Sequence, residues 1–266
     1  MSLSLQGSNM DIKLVDEFQL DWHLEGKAQQ TAKNYSFDLR KFLSEYESPT
    51  LVQAKEWVLK TDSIVGRRKR AQSIRAFGRW LNDNGIDGFE WHMKVPLTKE
   101  KTFPQQTVVL ADYQKALIAA TTPRDRAVIE VLWSCGVRRK ELTEIRVEDV
   151  DFQGGFIVVR QSKTGKPRIV PISPSTRRAL RRHLKGRTSG SLFNLTSNAV
   201  RQLLRRLGAP SAHAWRRGWA VHALRNGVSE TSVRAAAGWS SGAMVARYTR
   251  ALSGELAVEE FQRSWS

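Results

Sequence analysis

The chain has 266 residues, 41% of them hydrophobic and 26% charged, a balance that suits one large or two ordinary folded domains and excludes a disordered polymer. Lys and Arg number 43 against 26 acidic residues, and the resulting +17 favours a polyanionic partner, because each cation that meets a phosphate releases condensed counterions. No stretch approaches the roughly 20 apolar residues of a membrane span, and a lone cysteine, Cys135, excludes an internal disulfide and a Cys-rich zinc site.

In chain order, residues 11 to about 90 read as helical. Leu14, Phe18 and Trp22 recur at helical spacing, as do Tyr35, Leu39 and Phe42 in the next segment. Ser48, Pro49 and Thr50 break the chain before a third segment, 51–59. A fourth, around 65–81, carries Arg67, Arg68, Lys69, Arg70, Arg75 and Arg79 beside Ile74, Phe77 and Trp80, and it stops near Asn84-Gly85. A basic run interleaved with aromatics is a candidate phosphate-contacting face, with Arg67, Arg68, Lys69, Arg70 and Arg75 as its contact residues. Residues 93–105, with two prolines and no apolar period, read as a linker. Beyond it, Thr122 and Pro123 suit the N-cap and first position of a helix that stops at Gly136. Cys135 lies in the apolar run of that helix and reads as core. Phe156 to Arg160 and Arg168 to Ile172 are short and β-branched, and they read as a hairpin around SKTGK. Helices are expected at about 174–184, 197–207, 212–226, 230–237 and 241–251. The expected fold is mainly α with a small antiparallel β-sheet. It comprises a helical domain over 10–92, a linker, and a mixed α/β domain over 106–266 with a tail from about 252.

Four local features carry chemistry. Arg138 follows the helix-ending Gly136, with Glu141 three residues later. Lys163 sits at the hairpin tip with Lys166 across the same turn, and a tip ammonium can give a proton to a departing oxygen. His213 and Arg216 share one helix face at i, i+3. Gly238-Trp239 is followed nine residues after the tryptophan by Tyr248, within MVARYTR. His222, on the same helix as His213, reads as a core or otherwise satisfied histidine, and the five histidines show no HExxH or other metal-ligand spacing. Each feature alone is commonplace; their order along the chain is not.

The order Arg138, hairpin Lys163, His213-x-x-Arg216, Gly238-Trp239, Tyr248 resembles the catalytic signature of the tyrosine recombinases, or phage-type integrases, over about residues 106–250. GVRRKEL with IRVEDVD, SKTGKPRIVPI, and HAWRRGWAVHALRNG running on to AAAGW and RYT match beyond the catalytic letters. The resemblance implies a two-domain clamp whose helical part (10–92) binds core-site DNA and whose second part is catalytic. It implies that Tyr248 attacks the scissile phosphate to leave a 3′-phosphotyrosine and a free 5′-hydroxyl. Arg138 and Arg216 would hold the non-bridging oxygens, Lys163 would protonate the leaving oxygen, and His213 would exchange a proton with the tyrosine. Trp239 stands where many members have a second histidine; an indole donates one hydrogen bond but shuttles no proton. Two arginines and a lysine supply the positive charge, so no metal, ATP or other cofactor is implied.

The implied partners are double-stranded DNA recombination sites and three further copies of the chain, a monomer in solution assembling as a homo-tetramer on two DNA sites. Leu256, Ala257, Val258 and Phe261 in the tail can dock onto such a neighbour or pack on their own protomer. The stretch before Met10 reads as an added leader and leaves no room for an arm-binding domain, as in the compact members of the family. No secretory signal is visible, so the expected location is the cytoplasm, on the nucleoid. A type IB topoisomerase and a catalytically decayed DNA-binding regulator are the alternative readings.

Overall fold

The computed structural model describes residues 12–99, 106–160, 167–242, 245–246 and 253–265, the last group with only part of its side chains. The chain divides into two compact units, residues 1–102 and 103–266. Lys163, Lys166 and Tyr248 lie outside the described residues, as does most of the helix expected at 241–251, of which 245–246 are helical.

The first unit holds α1 (Ile12–Leu24), α2 (Gln29–Glu45), α3 (Leu51–Leu59) and α4 (Ile64–Asp83), followed by a 3-10 turn at His92–Lys94. Local chemistry sets the breaks. Thr50 opens α3 with a capping box, its hydroxyl accepting the Gln53 N–H at 3.3 Å while the Gln53 side chain accepts the Thr50 N–H at 2.9 Å. Ser63 caps α4 by accepting from Gly66. The apolar stripes of the helices then close over an aromatic core in which Phe77 meets Phe18 edge-on at 5.6 Å and Phe42 lies 5.0 Å from Trp57. Gly78 permits a close approach, since a Cβ there would lie 2.3 Å from the Cβ of His92. The core continues beyond residue 92, the expected end of the domain. Val95 is fully buried in it, Leu97 packs against it, and the Thr98 carbonyl accepts from Arg68 at 3.0 Å. The chain from 93 to 98 is therefore held by the first unit, because two apolar side chains between polar neighbours suffice to pin it.

The second unit is built around α6 (Pro123–Cys135), opened by the Thr122 cap and stopped by Gly136 in the left-handed region at φ 57°. On α6 pack α5 (Leu110–Ala119), α8 (Pro174–Leu184) and α10 (Ala212–Arg225). The short α7 (Arg139–Glu144) leads through a 3-10 turn at Val147–Asp149 into an antiparallel sheet in the order β1 (Val150–Asp151), β2 (Phe156–Val159), β3 (Arg168–Pro171). Its register, Val150 with Ile157 and Ile157 with Val170, turns alternate residues onto the core. α9 (Ser197–Arg206), α11 (Glu230–Ala237) and α12 (Ser253–Ser264) complete the described elements. The hairpin stands where the β-branched runs predict it; α5 and β1 are additional. Cys135 is buried as expected, its thiol directed at the Pro171 carbonyl and pushed up to about 12 by burial.

Candidate active site

Gly136 begins the construction of the site. A Cβ at this position would lie 2.2 Å from the Trp219 indole, so only glycine lets α10 close against the end of α6. The chain then turns at Val137 and places Arg138 as the N-cap of α7. There the Arg138 backbone N–H donates to Glu141 Oε2 at 2.7 Å, and its Nη1 donates to Oε1 at 2.6 Å.

Glu141 is 3% exposed and also receives the fork of Arg168 from β3, Nη1 to Oε1 at 3.0 Å and Nη2 to Oε2 at 2.7 Å. The third nitrogen of Arg168, Nε, donates to the Ala236 carbonyl at 2.7 Å. The next carbonyl, that of Ala237, accepts from Arg216 Nη2 at 2.5 Å, while Arg216 Nη1 reaches the Gly136 carbonyl at 2.6 Å. Two arginines thus cap consecutive carbonyls at the negative end of α11. α11 stops at Gly238 (φ 64°), and the chain then delivers Trp239, whose ring lies 5.1 Å from the Arg216 guanidinium. Trp239 is buried with Trp219, Val233 and Val245 in a small apolar cluster of its own.

His213 sits in the first turn of α10, on the solvent side, one turn before Arg216. Partial burial lowers its pKa from the ordinary 6.5, and the positive charges of Arg217, Arg216, Arg138 and Arg139 lower it further. Both effects favour the uncharged imidazole. Of the expected site residues, the fold therefore brings Arg138, His213, Arg216 and Trp239 together.

Burial raises the Glu141 pKa, but the hydrogen bonds from Arg168 and from the backbone and side chain of Arg138 outweigh it and hold the carboxyl at about 2, against an ordinary 4.5. A depressed carboxylate stabilises the fold fully above its unfolded value and loses that contribution as pH falls toward the folded one. The window is therefore about pH 4.5 down to 2. A shift of this size is worth on the order of 3 kcal/mol. Chemical unfolding of the parent and of Glu141→Gln between pH 6 and pH 2.5 measures it. The variant should start less stable and lose less on acidification, and parallel curves would refute the linkage.

Sequence reasoning noted Glu141 without a role and passed over Arg168. The latter has a legible signal: Arg168 shares its strand face with the buried Val170, and a cation on an inward face needs a buried carboxylate. Of the two expectations for His222 the structure gives the satisfied one, not the core one: it is exposed on α10, lies against the Trp133 ring at 4.8 Å and has Asn226 Nδ2 3.4 Å from its ring nitrogens, because the inward face of the helix is taken by Trp215 and Trp219.

In the first unit, the basic face of α4 is largely tied down. Arg67 donates to the Thr61 carbonyl at 2.8 Å, Arg70 to that of Trp57 at 2.7 Å, and Arg75 to that of Met93 at 2.5 Å. These bonds use one or two donors of each fork and leave the charge in place; Lys69 is exposed. Among the described residues no group of three metal-ligating side chains occurs, and no helix is long and apolar enough to cross a membrane.

The model of the phage integrase family matches residues 105–255. The tyrosine recombinase XerA of Pyrococcus horikoshii is 29% identical over 237 residues, covering 83% of this chain and 82% of its own. XerA of Pyrococcus furiosus is 27% identical over 261 residues, covering 90% and 89%. Among solved structures, a lambda integrase tetramer bound to a Holliday junction matches with a TM-score of 0.73 at 17% identity, covering 89% of this chain and 76% of that one, a likeness of fold.

Proposed function

The chain belongs to the phage integrase family, and we infer that it is a site-specific tyrosine recombinase, which cuts and rejoins DNA strands through a 3′-phosphotyrosine intermediate. The observation that carries the reading is the arginine cluster: Arg138 and Arg216, oriented by Glu141 and by the carbonyls that end α6 and α11, stand beside His213, whose charged form they disfavour. A planar, permanently charged fork suits the non-bridging oxygens of a phosphodiester and the charge that grows on them in the transition state. Because the forks are already held, little reorganisation is needed as that charge develops.

In this reading Tyr248 attacks phosphorus, His213 accepts the phenolic proton, and Lys163 gives a proton to the departing 5′-oxygen. Rejoining runs the same transfers backwards. Trp239 packs against Arg216 and moves no proton. The other three tyrosines support the choice of Tyr248 as nucleophile. Tyr113 donates to Glu130 at 3.1 Å and is pushed up to about 12 by burial and that carboxylate. Tyr35 is raised by burial and packs edge-on against Trp22 at 5.4 Å, and Tyr46 lies between Phe42 and Lys60.

The DNA site is bound by the helical first unit, with Arg67, Arg68, Lys69, Arg70 and Arg75, and by the catalytic unit, with Lys166. The chain works as a homo-tetramer on two sites, in the cytoplasm where the DNA is kept. The lambda integrase tetramer supports that assembly, and so do the exposed Val258, Phe261 and Trp265 of the last described segment, an apolar face that a closed ring of protomers can bury.

Covalent trapping on a nicked duplex carrying the chain's own recombination site, in excess EDTA, tests the reading. A protein–DNA adduct is expected. Lys163→Ala should slow its formation by several powers of ten, and a 5′-phosphorothiolate at the scissile bond should restore most of the rate, because a thiolate leaves without protonation. Lys166→Ala should need no such rescue. Equal defects without rescue in either would reduce the hairpin to a backbone contact.

A further inference from the structure

The +17 charge is not spread along the chain. Residues 152–229 hold sixteen Lys and Arg and no Asp or Glu, so nearly the whole excess lies in this one segment. The fold neutralises part of it with carboxylates from the preceding residues: Arg160 pairs with Asp149, Arg168 with Glu141 and Arg206 with Asp125. Arg216 and Arg217 are satisfied by backbone carbonyls. What remains is concentrated on α8. Arg178, Arg181, Arg182 and Lys185 are exposed there, and among the described residues no carboxylate lies within ion-pair distance of any of them.

Helix geometry makes these four a ridge. Thr176, Leu180 and Leu184 point into the core, which leaves positions 178, 181, 182 and 185 on the outward side. The helix dipole explains the cations of the last turn, Arg181 and Arg182, but not Arg177 and Arg178, which precede it. The ridge also lies apart from the arginine cluster. α8 sits on the Glu130–Ser134 face of α6, Thr176 donating to Ser134 at 2.8 Å. α10, which carries His213 and Arg216, sits instead against Trp133 and Gly136.

We propose that the α8 ridge is a second DNA-binding surface, which holds the phosphate backbone of duplex outside the segment engaged at the active site. Four exposed cations at helical spacing, without a carboxylate partner among the described residues and with Arg181 resting 5.5 Å over the Phe152 ring, present charge to a run of phosphates and carry no base-reading groups in fixed pockets, so the contact is independent of sequence. The choice of DNA among polyanions rests on the recombinase reading. The duplex held can be the flank of the same site or a separate molecule; the chemistry is shared.

The test uses the full chain with Arg178→Gln, Arg181→Gln, Arg182→Gln and Lys185→Gln combined. A matching set of Arg→Lys changes at 178, 181 and 182 serves as the charge-preserving control. Binding is measured against salt on a short duplex that just spans the recombination site, on the same site with long flanks, and on the short site with a labelled unlinked duplex for bridging. On flanked DNA the log–log salt slope should fall by about 3 to 4 in the Gln variant and not in the Lys control. If the second duplex is separate, bridging should vanish instead. The short duplex should bind as before, and single-turnover cleavage of its nicked form should be unchanged. An equal loss on the short duplex, or a Gln variant matching the parent on all three DNAs, overturns the proposal. So does capture of anionic vesicles by the ridge in preference to flanked DNA. Loss of binding with a lowered melting temperature in the Gln variant is read against the Lys control, whose normal slope would still support the ridge and whose loss would overturn it. Absence of cleavage by the parent would count against the recombinase reading and leave the salt slopes to decide the ridge.

Discussion

Tyr248→Phe should bind its DNA as the parent does and form no covalent adduct on a nicked substrate. The substitution removes one oxygen and keeps the ring, so in the proposed mechanism the attacking atom alone is lost. The expected loss is complete rather than graded, because attack by water in place of the phenol would leave no protein attached to the 3′-phosphate. The chain has four tyrosines, and Tyr113 is hydrogen-bonded to Glu130 and pushed up to about 12, which makes it a poor substitute nucleophile. Denaturing gels of the variant after long incubation give the answer. An adduct in Tyr248→Phe, mapped by peptide sequencing to another residue, would overturn the assignment.

Arg216→Ala should slow single-turnover cleavage by roughly two to three powers of ten, about 3–4 kcal/mol of barrier, the usual cost of one preorganised donor to a developing oxyanion. It should also lower stability. Arg216 is 3% exposed, and its removal leaves the Gly136 and Ala237 carbonyls without their donor in a dry site. A buried carbonyl left in that state costs about 1–3 kcal/mol. Arg138→Ala provides the contrast. Its side chain is 24% exposed and spans no pair of carbonyls, so the rate should fall comparably with a smaller change in melting temperature. Arg216→Lys should behave like the alanine variant in rate, since one ammonium cannot reach both carbonyls and still present a planar fork. Near-normal cleavage by either alanine variant would refute the phosphate-holding role, and equal thermal losses in both would refute the bracing of Arg216 between α6 and α11.

Legibility in the sequence followed the range of the interaction. The start of α6 was readable because Thr122 and Pro123 act within one turn, and its end because Gly136 adopts φ 57° locally. The hairpin was readable because Phe156–Val159 and Arg168–Pro171 are β-branched runs around a turn. α5 carried a weaker signal: Val109 has no side-chain acceptor to cap the helix, although Asp112 accepts its N–H at 3.1 Å, and only Ala116 of the helix is buried outright. That His222 is satisfied at the surface and not in the core has a physical origin as well. α10 buries nine residues, including Trp215 and Trp219, so its apolar pattern does not say which edge remains for an imidazole.

By itself, the sequence determined which residues are the candidates for strand transfer and in what order they stand. Arg138, Lys163, His213, Arg216, Trp239 and Tyr248 are chemical types at readable spacings, and covalent chemistry depends first on type. Only the tertiary structure decided how the arginines are held. Glu141, beside Arg138, reaches Arg168 across 27 residues, and Arg216 reaches Gly136 across 80. Such partners have no spacing in the chain, because a buried charge takes whichever acceptor the packed helices bring to it. The same packing decided that Arg168 belongs with the site while the cations of α8 face solvent. Along the sequence the two are alike, and burial alone separates them.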